Sequence, residues 1–371
     1  MVSNEKCVIV EEIVQCRGNL FKCLEKTFTL MNSLKELLTQ QKVTVARLPQ
    51  KNAITIPEIE SLEGYTVPLI GHDYAAKTPV MWNTLYERMR VPLRNIMVVA
   101  DPNNAEEILN ALRQDPKYMG GGAGVGFKEA VLPFLDEVRP ANLKAVNIVV
   151  NERGRLIGYN TDAEGLVRSL EEKYAALGKT IEGSMIVVLG AGGVAKEVVR
   201  HLVGKKARRI AIVNRTLDKA VALAHEFQQV AYGAPESMIR GIVLNSWDKP
   251  DAIVNVTDKG ADGKLEAYSA FAHVTEHPGD NESLSRTIMR ELRSYNPQVI
   301  IADIVLPKSG RSVTLRHADA ADIKNTIDGK PMVVYQAVPA FDLVAKAHAS
   351  KHQNLPSLEE ILAVFKQATE I

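Results

Sequence analysis

The sequence has little cysteine, no long apolar run and almost no net charge. Its three cysteines, Cys7, Cys16 and Cys23, are odd in number, cluster near the start and lack the paired short spacing of a zinc site. That pattern argues against a disulfide framework and a structural metal, and fits a reducing compartment. No apolar run approaches the ~18 residues of a membrane span. Glu5 and Lys6 stand where a secretory leader would carry a basic flank and then an apolar core. The expectation is a cytoplasmic protein with no membrane partner. Lysine and arginine number 45 against 44 aspartate and glutamate, a formal net charge of +1, which offers no electrostatic grip on nucleic acid. A small-molecule partner is expected instead. Oligomeric state stays open.

With 371 residues, 46% hydrophobic and 24% charged, the chain is too long for one ordinary core and too apolar for disorder, so two domains plus an appendage are expected. Residues 7–15 read as a strand. Leu20, Leu24, Phe28, Met31, Leu34 and Leu38 then recur at helical spacing, and residues 42–48 alternate as a second strand. Residues 1–61 therefore form an ordered extension of unassigned role. From Tyr65, apolar strands (66–70, 95–100) alternate with helical patterns (80–89, 105–113), and a second such series runs from Met185 to about Val334. A helical stretch over 163–177 joins the two. Alternation of this kind predicts α/β domains built on mostly parallel sheets. There is no internal repeat, and the low-complexity segment is the glycine run 120–126.

The apolar strand 185–189 runs into Gly190-Ala191-Gly192-Gly193-Val194-Ala195 and then a helical segment to about Leu202. In that context the G-x-G-x-x-A pattern reads as a dinucleotide-binding turn. Gly190 permits the turn, Gly192 lets the backbone approach a pyrophosphate, and Ala195 lets helix and strand pack closely. Gly193 belongs to the same loop. The next strand, 208–213, ends in Asn214-Arg215-Thr216, where an NAD enzyme usually carries a carboxylate for the ribose hydroxyls. Arg215 suits a 2′-phosphate, which predicts NADP as the cofactor.

The glycine turn, Asn214-Arg215-Thr216 and Gly158-Tyr159-Asn160-Thr161-Asp162 together resemble the shikimate dehydrogenase family, which includes quinate dehydrogenases, over about residues 69–343. The resemblance implies an N-terminal α/β substrate domain (62–166 plus 340–371) and a Rossmann-type NADP-binding domain (167–339), the C-terminal helix returning to the first. It places the family's catalytic lysine and aspartate on Lys128 and Asp162. Such a pair suits the chemistry, because a secondary alcohol yields hydride only as its hydroxyl proton is taken. Asn147 and Gln336 resemble the family residues that hold ring hydroxyls. Asn255, Thr257 and Met332 fall in segments that resemble those lying along the cofactor.

Several departures bear on the substrate. The family's Ser-x-Ser-Pro segment aligns with Ala76-Lys77-Thr78-Pro79 after a one-residue deletion and keeps one hydroxyl, on Thr78. Its Asn-Val-Thr-x-Pro-x-Lys segment aligns with Gly122-Ala123-Gly124-Val125-Gly126-Phe127-Lys128, and the tyrosine of its Asp-x-x-Tyr segment is replaced by Leu306. The resemblance implies a NADP-dependent oxidoreductase acting on a cyclic polyhydroxy acid, and these changes predict an altered carboxylate site. They also predict extra volume from three small side chains, and an anion nest of glycine amides. Alternative readings are an ordinary shikimate or quinate dehydrogenase and a non-catalytic, nucleotide-responsive regulator. Retention of Lys128, Asn147, Asp162 and Gln336 together argues against the regulator. A glutamyl-tRNA reductase would need a nucleophilic cysteine, and all three cysteines precede the substrate domain.

Overall fold

The computed structural model describes residues 33–46, 54–74, 76–307, 310–348 and 355–370. The cysteines, the expected strand 7–15 and the stripe from Leu20 to Met31 lie outside the described residues. Chain proximity divides the protein into two units: Met1–Asn142, Val146–Tyr159 and Val344–Gln353 in the first, and Leu143–Ala145, Asn160–Leu343 and Asn354–Ile371 in the second.

In the first unit the elements are α1 (Ser33–Thr39), β1 (Val43–Val45), α2 (Ile56–Ser61), β2 (Gly64–Thr66), β3 (Leu69–Ile70), α3 (Thr78–Met89), β4 (Leu93–Asn95), β5 (Val98–Ala100), α4 (Ala105–Gln114), β6 (Tyr118–Gly122), α5 (Phe127–Ala130), β7 (Glu137–Val138), β8 (Ile148–Glu152) and β9 (Arg155–Tyr159). They build a six-stranded sheet in the order β4-β2-β6-β8-β9-β7 and a three-stranded one in the order β1-β5-β3. The apolar run 66–70 thus serves two sheets. Pro68 has no N–H to give a ladder, so the chain leaves one sheet at Thr66 and enters the other at Leu69. The run 95–100 divides in the same way, Asn95 ending β4 and Val98 beginning β5.

The larger sheet is mostly parallel, as the alternation suggested, and β8 alone runs against the other five strands, antiparallel to β6 and joined to β9 as a hairpin. Its turn places Arg153 and Gly154 at φ 57° and 88°, the left-handed pair that a tight two-residue hairpin needs. Part of the N-terminal extension is integral to this unit. Leu34 and Leu37 of α1 are buried, and β1 pairs antiparallel with β5, Val43 opposite Ala100.

The second unit holds α6 (Asp162–Ala176), β10 (Met185–Leu189), α7 (Gly193–Gly204), β11 (Arg209–Asn214), α8 (Leu217–His225), β12 (Ala231–Pro235), α9 (Ile239–Val243), β13 (Ala252–Asn255), α10 (Pro278–Tyr295), β14 (Ile300–Asp303), α11 (Val313–Ala320), β15 (Thr326–Ile327), most of α12 (Gly329–Ala347) and α13 (Leu358–Thr369). Its six strands are all parallel in the order β12-β11-β10-β13-β14-β15, the doubly wound arrangement with a switch point between β10 and β13. Every residue of β10 is buried. Ile186 and Val188 pack into one core cluster while Met185, Val187 and Leu189 pack into another, as a strand covered on both faces requires.

The end of α12, Val344 to Ala347, and His348 group with the first unit, where His348 Nε2 lies 3.2 Å from Met119 O. The last helix, α13, groups with the second unit, which differs from the expected boundaries of 340–371. There Phe365 stands edge-on to Phe341 at 6.2 Å, and Lys366 Nζ donates to Glu172 at 3.0 Å. Helical periodicity is the same whichever surface covers the apolar face, so pattern alone did not distinguish the two placements.

One buried group in this unit sets an acid limit. His317 lies 2.9 Å through Nδ1 from Ser285 Oγ, and burial, helped by Arg286, pushes its imidazole down to about 4 from 6.5. The unfolded chain therefore binds this proton more tightly. Its contribution is complete above the unfolded value and is lost as pH falls from 6.5 toward 4. Denaturant titrations across that window should show a loss on the order of 3 kcal/mol from this site, and His317→Gln should flatten that part of the profile. An equally steep fall in the variant would assign the loss to other groups.

Candidate active site

At the end of β10 the chain turns under a tight constraint. Gly190 N donates to Val213 O at 2.7 Å, and Gly190 itself adopts φ 117°, outside the range of ordinary side chains. A Cβ there would lie 2.9 Å from Thr257 Cγ2. Gly192 follows as the N-cap of α7, and a Cβ built on it meets nothing within 4 Å. Gly193 begins the helix, and Ala195 is fully buried where α7 packs on the sheet. Open space therefore faces a helix N-terminus with unsatisfied N–H groups, and this arrangement fits the diphosphate of a dinucleotide. Asn214 Nδ2 donates to Thr216 O at 2.9 Å, closing the turn after β11, and Arg215 stands exposed between them.

The loop after β13 is held by a chain of buried hydrogen bonds. Asp303, at the end of β14, accepts from Ser312 Oγ at 2.6 Å, Val305 N at 3.0 Å and Asn255 Nδ2 at 2.8 Å. Burial still pushes its carboxyl above the usual range, the hydrogen bonds opposing. Asn255 Oδ1 in turn accepts from Thr257 N at 2.9 Å and Thr257 Oγ1 at 2.7 Å. Asn255 is thus a bracket between two strand ends, and Thr257 is placed against Gly190. A cavity of about 140 Å³ opens beside these residues, lined by Gly190, Asn214, Arg215, Thr257, Glu236 and Lys259 among others.

Glu236 and Lys259 carried no signal in the sequence. Glu236 directly follows β12, Lys259 lies in the loop after β13, and the two form an ion pair in which Lys259 is buried and Glu236 half-buried. Lys259 Nζ also donates to Ala272 O at 2.7 Å. Burial pushes the ammonium below its ordinary value, with Glu236 opposing that shift.

In the first unit, Lys128 sits half-buried on the single turn of α5, its carbonyl accepting from Val146 N at 2.9 Å. Asn147 lies half-buried just before β8, its N–H bonded to Tyr159 O and its carbonyl accepting from Ala123 N at 2.9 Å. Thr78 begins α3 and is half-buried. At Ala76 and Gly124 the expected extra volume is absent. Ala76 is buried in a cluster with Ala46, Ile70 and Met97, so a residue of the extension fills the space beside it. A Cβ on Gly124 would come within 2.7 Å of Ile70 Cγ2, so that glycine answers a close approach and does not open a pocket. The expected anion nest is also compromised, because Ala123 N and Gly124 N already donate to Asn147 O and Leu69 O.

In the second unit, Asp162 is buried at the start of α6 and its N–H donates to Asn160 Oδ1 at 3.0 Å. Thr161 Oγ1 donates to Gln336 Oε1 at 3.2 Å, joining the start of α6 to α12. A Cβ on Gly165 would strike Gln336 and Met332 at 2.7 Å, so the two helices cross at near contact. Met332 packs on the core beneath the sheet. No group of three or more metal-ligating side chains occurs among the described residues, and no helix among them is long and apolar enough to cross a membrane.

Known proteins share both halves of this arrangement. Residues 69–149 match the shikimate dehydrogenase substrate binding domain, and residues 172–242 match the family described as shikimate / quinate 5-dehydrogenase. The chain is 31% identical over 271 residues to a shikimate dehydrogenase (NADP(+)) of Geobacillus kaustophilus, covering 71% of this chain and 86% of that one. The structure of shikimate 5-dehydrogenase from Thermus thermophilus in complex with shikimate superposes with a TM-score of 0.57 at 25% identity, covering 83% of this chain and all of that one. A shikimate dehydrogenase solved in complex with NADP+ has a TM-score of 0.61 at 23% identity, with 86% and 99% covered, and shows the shared fold. At 31% identity to the Geobacillus kaustophilus enzyme over more than two thirds of both chains, this protein belongs to the shikimate dehydrogenase family.

Proposed function

We propose that the protein is a NADP-dependent dehydrogenase that interconverts a cyclic polyhydroxy acid of the shikimate type and its ketone. The observation that carries this is the open turn Gly190–Gly193 at the N-terminus of α7, flanked at the end of β11 by Arg215 in place of a carboxylate. Relatives that carry the name shikimate dehydrogenase (NADP(+)) support it. Gly190, Gly192, Gly193 and Ala195 would hold the diphosphate, Asn214, Arg215 and Thr216 the 2′-phosphate, and Asn255, Thr257 and Met332 the rest of the dinucleotide. Bound NADP+ supplies the hydride acceptor. Lys128 and Asp162 relay the hydroxyl proton of the reacting carbon outward during oxidation and return it during reduction. Asn147 and Gln336 orient the ring through its other hydroxyls. Chemistry of this kind belongs to aromatic amino acid biosynthesis in the cytoplasm.

The carboxylate end of the substrate is read by a changed set of hydroxyls. Thr78 keeps one. Tyr74 supplies another, since its hydroxyl oxygen lies 3.4 Å from where a Cβ on Gly124 would be, the position at which the family resemblance implies a threonine. Tyr74 is 40% exposed, so the hydroxyl is within reach of a ligand.

Three outcomes test this reading. Arg215→Ala should weaken NADP binding by about ten- to a hundredfold, the worth of one charge-assisted hydrogen-bonded pair, and leave NAD nearly unchanged. Equal loss for both cofactors in a binding titration would refute the 2′-phosphate role. Lys128→Ala and Asp162→Asn should each lower kcat by about a hundredfold or more at unchanged NADP affinity, with the double variant far less impaired than the product of the two losses. Simple multiplicativity would separate the pair. Assayed with shikimate and quinate, Tyr74→Phe should raise KM by about ten- to a hundredfold with little change in kcat. An unchanged KM returns carboxylate recognition to Thr78 and the backbone.

A further inference from the structure

The Rossmann unit carries a second charge device beside Arg215. Strands β11 and β12 are in register with Asn214 opposite Pro235, so the next residue on each, Arg215 and Glu236, leaves the sheet at the same level. Both line the cavity at the sheet's carboxyl edge. A carboxylate here faces the place where the 2′-phosphate of NADP is proposed to bind, and like charges brought close together repel. Lys259 meets that carboxylate from the loop after β13. It is 6% exposed, it pairs with one oxygen of Glu236, and its remaining reach is taken by Ala272 O. The other carboxylate oxygen, Oε2, is buried with no hydrogen-bond partner. Glu236 is therefore neutralised by a single cation, and Arg215, whose field reaches Lys259, is not drawn into pairing with it. Asp258 lines the same cavity, but it is exposed and its charge is screened by water.

We propose that Lys259 and Glu236 together set the cofactor preference: Lys259 cancels the charge of Glu236 and leaves Arg215 free for a 2′-phosphate, so that Lys259 is a specificity-determining residue that acts through Glu236. The geometry is that of a masked NAD-type site. A carboxylate is present at the adenosine end, one strand over from where NAD enzymes commonly carry it, and a buried ammonium cancels it. Unmasking it would hand Arg215 a competing anion and confront the phosphate with negative charge. Masking it more fully would do the reverse. This inference rests on the proposed NADP binding and deepens it.

The test is a set of NADP and NAD dissociation constants on the full chain, from quenching or calorimetric titration. Wild type comes first, because failure to bind NADP more tightly than NAD overturns the cofactor reading itself, independently of the variants. Lys259→Met should then weaken NADP by about ten- to a hundredfold and change NAD by no more than about threefold. Glu236→Gln should shift the preference about tenfold further toward NADP, since its amide oxygen still accepts from Lys259 while the negative charge is gone. The double variant should return to near the wild-type ratio, a rescue that a purely structural role for Lys259 would not give. Parallel loss of both cofactors in Lys259→Met, or no rescue in the double variant, overturns the proposal. Should Lys259→Met fail to fold, Glu236→Gln decides alone: an unchanged NADP to NAD ratio overturns it.

Discussion

The close approach at the end of β10 is the constraint on which the second unit's site depends. Two parallel neighbours, β11 and β13, flank β10 in register, and the residues that leave these strands must share the space above the sheet edge. A Cβ at position 190 would lie 2.9 Å from a methyl of Thr257, and the φ of 117° there is one that glycine adopts without strain, after which Gly192 caps α7. The helix N-terminus is thereby aimed at open space. A single added methyl group at this point would displace either the turn or the loop that faces it.

That facing loop is held by hydrogen bonds. Asp303, Asn255 and Thr257 pass hydrogen bonds from one strand end to another, buried between Asp303 and Asn255, where they are costly to leave unpaired, and half-buried at Thr257. Asn255 uses its amide nitrogen toward Asp303 and its amide oxygen toward Thr257, a division that neither aspartate nor leucine could reproduce. The Lys259–Glu236 pair extends the same logic outward to the cavity wall. Desolvation makes each of the two charges depend on the other.

The first unit shows the opposite balance between pattern and packing. Alternation over residues 42–48 foretold a strand, and β1 is there, yet nothing local indicated that it would pair with β5 or that Ala46 would seat beside Ala76. Small residues at 76 and 124 read in isolation as lost substrate contacts and gained space. In the folded unit they are filled by Ala46 and Ile70, residues 30 and 54 positions away in the chain. Similarly, Pro68 is visible in the sequence as a break, but the transfer of the strand from one sheet to another is a property of the partners β4, β5 and β6.

What the sequence by itself determined is whatever depends on period and on special backbone chemistry: the apolar strand 185–189, the glycine turn after it, the arginine at the end of the next strand and the helical stretch over 163–177. Each is local, because side-chain direction repeats every two or 3.6 residues and because glycine alone tolerates the turn. Only the tertiary structure decided which distant groups meet. Glu236 and Lys259, the bracket from Asp303 to Thr257, the hydroxyl of Tyr74 beside Gly124 and the seating of α13 on the second unit all join residues from different strands or helices. No periodicity encodes such encounters, since they follow from the order and register of strands in the finished sheets, and those are selected by the packing of whole faces at once.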